Sequence, residues 1–289
     1  MNILQNIGGQ MENFAKIQSQ LETIVKVQLH PNIEGYDIPK SFGIYKESGG
    51  RALGVTGDVF IPTQPSLILD SLLDCSVDLS KMTYHEMKGG SKVRFQIPLK
   101  TIEFQNARKV GDVTDVSLCV QTGFDGLTKT SLYLYTHRLI CTNGAKASNT
   151  EFQASFKNTT GNQGKIVGLC NDVSKAVQQL DGLKELYKSL DKVQVDQQVV
   201  NEYLKKVAGL DIHRSEEWTK HQQSTFEAIN ESIALEFGRT GSTLFGLYNG
   251  ITHYTNHVAN TNSREDYILV DSGSKLNDKA LSFVSQLVY

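Results

Sequence analysis

The sequence predicts an α+β fold: an antiparallel sheet over about residues 42–142, followed by a mostly helical second half. Three observations carry this. Period-two alternation is confined to the first half, with Val93, Phe95, Ile97 and Leu99 in one run and Val116, Leu118 and Val120 in another. Apolar residues at three-and-four spacing dominate beyond residue 164. The two patterns are segregated along the chain, whereas a doubly wound fold alternates them. The expected organisation is an N-terminal amphipathic helix and linker over 1–40, a β-rich core over 41–148, and a helical region over 149–289 packed on that core.

Taken in order, Gly8-Gly9 precedes a stripe of Phe14, Ile17, Leu21, Ile24 and Val25 that predicts a helix ending at His30-Pro31. Its stripe is narrow, so it must dock on its own sheet or on a neighbouring subunit. Leu53, Val55, Val59 and Ile61 alternate through a strand whose glycines signal a bulge or a close backbone approach. A short helix is expected over Leu67–Leu73. After Gly89-Gly90, the run SKVRFQIPLK sets Lys92, Arg94, Gln96 and Lys100 opposite its apolar face, and Arg108-Lys109 are read as a loop. Two strands joined by a Gly-bounded loop then lead to a Cys-Thr-Asn-Gly turn. The second of them carries Leu132, Leu134 and Ile140 on one face and Tyr133, Tyr135 and His137 on the other.

Residues 149–163 are polar and read as a linker or long loop. Helical stripes follow: Ile166, Cys170, Val173, Val177 and Leu180, then Leu183, Leu186 and Leu190, then Val199 to Val207 before Gly209. A further helix is expected to start with Ser215 as cap and Glu216 and Glu217 in its first turn, and to run to Gly238. Another begins near Thr243, and a last one spans Asn277 to the end.

A chain of 289 residues with net charge −2 is not a protein that coats nucleic acid by bulk charge, although a local basic groove is compatible with it. Its 4 cysteines are widely spaced, with no CxxC pair and no secretory leader ahead of them; Cys119 and Cys141 sit in strand-like runs, where a free Cys behaves as a small buried hydrophobe, and a reducing, cytoplasmic compartment of a bacterial host cell is expected. No apolar run is long enough to span a bilayer, so no membrane partner is expected.

No GxxxxGK[ST] phosphate loop, GxSxG elbow, HExxH or metal-spaced Cys/His cluster occurs, so no catalytic residue, cofactor or metal is assigned. His253 and His257 lie four apart on a predicted helix and supply only two ligands; with Asn249 and Asn260 they read as a solvated or interfacial face, or else a binding face. The basic strand face and the aromatic row form the other candidate. A nucleic-acid groove needs cations for phosphates and flat rings for bases, each stacked base contributing about 1–3 kcal/mol. Lys92, Arg94 and Lys100 supply the first, Tyr133, Tyr135 and His137 the second, with Lys129, Arg138 and Lys146 nearby in sequence. The alternative is that the tyrosines are covered by a helix and the lysines line a solvated or guarded edge.

Three stretches, LGVTGDVFIPTQ (Leu53–Gln64), HRLICTNGAKAS (His137–Ser148) and the run Thr243–Leu281 that includes GLYNGITHYTNH, together resemble the phage- and plasmid-like proteins grouped as domain of unknown function 932. His253 stands where members often carry Glu, which weakens a metal reading of the His pair. More loosely, the strand-then-helix layout resembles phage single-strand annealing proteins of the RecT, Red beta and Erf type, which act without ATP as rings or filaments. The resemblance implies a phage or mobile-element protein that binds single-stranded DNA, promotes annealing, recombination or replication, and forms a homo-oligomer. Arg138 and Asn143 are then the motif residues of interest. The rival expectation is a non-enzymatic protein–protein module acting on host or defence factors.

Overall fold

The computed structural model describes residues 3–288 apart from 33, 35–37, 107–108, 139–142, 148–153, 162–164, 167, 179 and 270. The first half is built of antiparallel sheets and the second is mostly helical, as the segregated patterns predict. A three-stranded sheet has the order β1 (Ile24–Gln28), β2 (Phe42–Lys46), β3 (Gly54–Thr56). The larger sheet orders β4 (Thr83–Met87), β5 (Lys92–Asn106), β6 (Lys109–Gly123), β7 (Thr130–Arg138) and β8 (Asn143–Ala147), with β9 (Ala154–Phe156) also pairing β7. The chain divides into two compact units, one of residues 1–99, 117–133 and 153–177, the other of 100–116, 134–152 and 178–289.

In the first unit, α1 (Ile3–Gln18) buries Phe14 and Ile17 within the same chain, and Asn13 donates to the carbonyls of Leu79 and Met82 at 2.8 and 3.0 Å. The helical stripe expected to reach His30 stops at Gln18. Ile24, Val25 and Val27, β-branched residues that fit a pleated surface, form β1 instead. The Gln64 side chain acts there as a surrogate strand, accepting from Ile24 N at 3.0 Å and donating to Ile24 O at 2.8 Å. Ile24, Ile44, Leu53, Phe60, Val93 and Phe124 form one core cluster. Gly54 sits where a Cβ would lie 2.5 Å from Phe124 O and 2.6 Å from Asp125 Cα, so the glycine expected to permit a close backbone approach does so. The expected strand through Ile61 shortens to Gly54–Thr56, and Phe60 forms only an isolated bridge with Thr159. Helices α2 (Pro65–Leu73) and α3 (Leu169–Gln178) complete the unit.

Cys75, just beyond α2, is joined to Cys170 in α3 by a disulfide with Cα atoms 4.9 Å apart. No local pattern signals this pair: a separation of 95 residues leaves no signature in the sequence, and only the tertiary structure brings Cys170, whose Sγ lies 3.3 Å from Ser71 O of α2, to Cys75. Cys119 is free and buried.

The second unit holds α4 (Leu180–Lys192), α5 (Gln197–Tyr203), α6 (Lys220–Thr240), α7 (Leu244–His253), α8 (Arg264–Leu269) and α9 (Ser272–Gln286). The helix expected to start at Ser215 starts later: Ile212–Glu217 is a 3-10 turn, and Thr219 and Gln222 form a capping box for α6. Every residue of α7 from Leu244 to Thr252 is buried. Gly250 explains how α6 and α7 meet so closely, since a Cβ there would lie 2.5 Å from Ile233 Cγ1 and 2.8 Å from Ile233 Cα. A mid-helix glycine costs about 1 kcal/mol relative to alanine, and this contact is its packing reason.

Candidate functional site

In the first unit the turn between β6 and β7 forms one wall of a cleft of about 570 Å³. Asp-Gly is a turn signal, and here Asp125 closes an Asx turn: its carboxylate accepts from Leu127 N at 3.0 Å, Thr128 N at 2.7 Å and Thr128 Oγ1 at 2.8 Å. Lys92 Nζ lies 3.5 Å from the same carboxylate. Burial acts to raise the Asp125 pKa, but the hydrogen bonds from Thr128 and Leu127 and the Lys92 charge outweigh it, and the net shift is downward. Gly126 takes φ +77°, and Leu127 at the tip is 89% exposed. The opposite wall is the segment 55–60, where Lys26 Nζ donates to the carbonyls of Asp58 and Phe60 at 2.7 and 2.8 Å and fixes the loop that presents Val59.

The floor is a buried polar hub. Asn158 Oδ1 accepts from Thr130 Oγ1 at 2.6 Å, and its Nδ2 donates to Gly123 O at 3.0 Å and Thr128 O at 3.1 Å. Its Oδ1 also lies 3.1 Å from Thr63 Oγ1, while Thr122 and Thr130 hydroxyls pair at 2.7 Å. The 149–163 stretch read as a linker therefore supplies the centre of the site. A single Asn in a polar run carries no signal of this, because its partners come from three other segments. Thr56 Oγ1, buried beside the cleft, has no hydrogen-bond partner among the described residues. Around the rim Val55 and Val59 are 61% and 67% exposed, and Lys129 and Lys157 are exposed as well.

The sequence candidates divide between the two units. In the first, Lys92 is held by Asp125, and Arg94 is 4% exposed, so the alternating cations of β5 do not form a continuous open face. Tyr133 is 1% exposed and donates to Gln121 Oε1 at 2.9 Å, whereas Lys129 alone of the candidates with described side chains stands at the cleft. In the second, Lys100 Nζ donates to Asp181 at 2.8 Å, Tyr135 is buried and His137 is half-buried. Arg138 pairs with Asn143, and Tyr135 with Lys146, across β7 and β8. The side chains of Arg138, Asn143 and Lys146 lie outside the described part of the chain, as do Arg108 and the Leu139–Thr142 part of the Cys-Thr-Asn-Gly turn. The tyrosine row is not open because residues 132–136 are buried on both faces, as in a strand covered on each side. Alternation alone does not distinguish a covered aromatic face from an open one.

The third motif stretch builds a buried polar cluster in the second unit. α7 runs into a π turn over Tyr254–Val258, where Thr255 Oγ1 donates to Asn277 Oδ1 at 3.0 Å and Arg264 Nη1 donates to Thr255 O at 2.9 Å. Fully buried Glu236 pairs with Arg239 at 2.8 Å, and His253 Nδ1 lies 3.3 Å from Ser232 Oγ. The His253 and His257 rings are 5.0 Å apart. Burial first, then the His257 and Arg239 charges, lower the His253 pKa against an opposing Glu236 effect. These polar groups largely satisfy one another, a role consistent with holding helix register. Among the described residues no group of three or more His, Cys, Asp or Glu side chains could hold a metal ion, and no helix is long and apolar enough to cross a membrane.

Comparison with known proteins gives one match: the family model described as Domain of unknown function (DUF932) covers residues 52–281. No curated protein and no solved structure matches.

Proposed function

The chain belongs to the DUF932 family, and we propose that it is a non-enzymatic binding protein of a phage or mobile element, working in the host cytoplasm, whose hairpin cleft grips an extended segment of another protein. The supporting observation is the composition of one rim: Val55, Val59 and Leu127 expose 61, 67 and 89% of their surface around a single cleft, with Lys129 and Lys157 beside them. Clustered exposed aliphatic side chains mark interaction surfaces, and the two lysines favour an acidic, apolar segment over a basic one. The cleft's polar groups support binding over chemistry. Asp125 is capped by the turn and by Lys92, and Asn158 is consumed by its own network, leaving neither placed as a general acid or base.

Selection from a displayed library of random peptides tests this. Acidic, aliphatic sequences are expected to bind the parent and to lose binding to Leu127→Glu and Val59→Glu. Binders that ignore both substitutions would remove the cleft from the reading. A second reading, ATP-independent annealing of single-stranded DNA by a homo-oligomer, is favoured by the exposed Lys129 on the cleft, where a phosphate could be met. Anisotropy with a labelled single strand across a salt series, a duplex control and light scattering decides it. Single-strand preference with affinity falling steeply in salt, from an oligomer, would promote this reading; no binding at low salt would discard it.

A further inference from the structure

We infer that Cys75 and Cys170 form a reversible dithiol–disulfide couple that stiffens the cleft region of the first unit in response to thiol redox state; its functional meaning rests on the binding reading above. The couple joins α2 to α3, and the segments that lead into these two helices line a smaller cavity of about 200 Å³. From one side come Thr63, Gln64 and Leu67, at the start of α2; from the other come Thr159, Gly161 and Ile166, just ahead of α3. Thr159 also lines the hairpin cleft, and Thr63 belongs to the Asn158 hub beneath it. Cys75 lies two residues past α2 and Cys170 lies in the first turn of α3, so the bond between them ties the far end of α2 to the near end of α3.

Both redox states fit the site. The Ser71 carbonyl oxygen is 3.3 Å from each sulfur. In the dithiol this carbonyl is an acceptor for an S–H. Cys170 is half-buried and Cys75 7% exposed, which leaves the couple reachable from one side by a small thiol or disulfide. Cys119 is fully buried and does not compete.

Oxidation proceeds by exchange with a low-molecular-weight disulfide such as oxidised glutathione. The thiolate of one cysteine attacks it, forming a mixed disulfide and releasing one glutathione thiolate. The second cysteine thiolate then attacks the protein sulfur of that intermediate and releases the second glutathione. Two protein thiols are oxidised, one glutathione disulfide is reduced to two thiols, and the two protons lost by the cysteines are taken up by the released glutathiones. The closed loop spans 95 residues, so the bond removes a large part of the unfolded ensemble.

The test uses the full chain equilibrated in glutathione buffers of graded ratio, with the Cys75→Ser/Cys170→Ser double variant as control. Mass-tagging with a maleimide under denaturing conditions counts thiols, and hydrogen exchange reads residues 61–67 and 159–161. On oxidation two tags are expected to be lost, and exchange over those segments to slow roughly tenfold. Added dithiol should restore both, while the double variant stays at the reduced level throughout. Retention of every tag at all ratios, loss of tags that dithiol does not reverse, or oxidation with exchange unchanged would each overturn the inference. Failure of the peptide selection with exchange still redox-responsive would instead overturn the binding reading and leave the couple standing.

Discussion

Replacing Asn158 with alanine should damage the first unit more than its place in a polar surface stretch suggests. The side chain is 3% exposed, and the substitution leaves Gly123 O and Thr128 O without the donor that now meets them at 3.0 and 3.1 Å. The hydroxyl partners have fallbacks, because Thr130 also reaches Thr122 at 2.7 Å and Thr63 at 3.3 Å. Stranding a buried acceptor costs about 1–3 kcal/mol, and the half-buried Thr128 carbonyl belongs at the low end. With the emptied side-chain volume added, the expected loss is about 2–4 kcal/mol, or roughly a hundredfold in the opening equilibrium. Trp218 lies in the second unit, so intrinsic fluorescence is the wrong probe. Hydrogen exchange over residues 117–133 and 154–161 is the right one, with protection falling there and unchanged in α6 and α7. Asn158→Asp sharpens the test: a buried carboxylate faces the two carbonyls with no proton to give, so its loss should exceed that of alanine at neutral pH and shrink in acid, where a protonated carboxyl donates once. A change of Asn158→Ala within about 0.5 kcal/mol of the parent would refute the hub as a structural element.

Further outcomes follow from individual contacts. Gly250→Ala should lose about 1–3 kcal/mol in urea unfolding followed by Trp218, since its Cβ meets Ile233 backbone as well as side chain. Asp125 has a folded pKa below its unfolded value of 3.8, so its contribution is present above that value and lost as pH falls through the folded pKa; Asp125→Asn should flatten the acid limb of hairpin protection below about pH 4. His253 is also lowered from 6.5, but as a base. The unfolded chain then binds the extra proton first, and stability falls as pH drops below about 6.5; His253→Gln should remove that slope from an unfolding series between neutral and mildly acid pH. Leu127→Glu should leave stability within about 0.5 kcal/mol by thermal unfolding, because the side chain it replaces is 89% exposed.

Much of the fold was legible because its signals are local. Thr243 caps α7, Gly209 takes a left-handed φ of +73° at the end of the turn after α5, and Gly54 marks a close backbone approach. Misplaced boundaries arose where two local patterns compete. Leu21, Ile24 and Val25 satisfy helical spacing, yet β-branched residues with strand partners at Lys46 and Tyr45 are drawn into β1. Ser215 followed by two glutamates is a sound cap signal, and Thr219 with Gln222 outcompetes it by satisfying two backbone donors at once.

By itself, the sequence determined the α+β class, the strand and helix periods, and the family, because each depends on residues adjacent in the chain or fixed in order along it. The tertiary structure alone decided which faces are covered. It buried Tyr133, Tyr135 and Arg94, exposed Val59 and Leu127, made Asn158 a hub, and set Cys75 beside Cys170. Periodicity tells which side chains share a face, but burial depends on what packs against that face, and those partners arrive from residues far away in sequence.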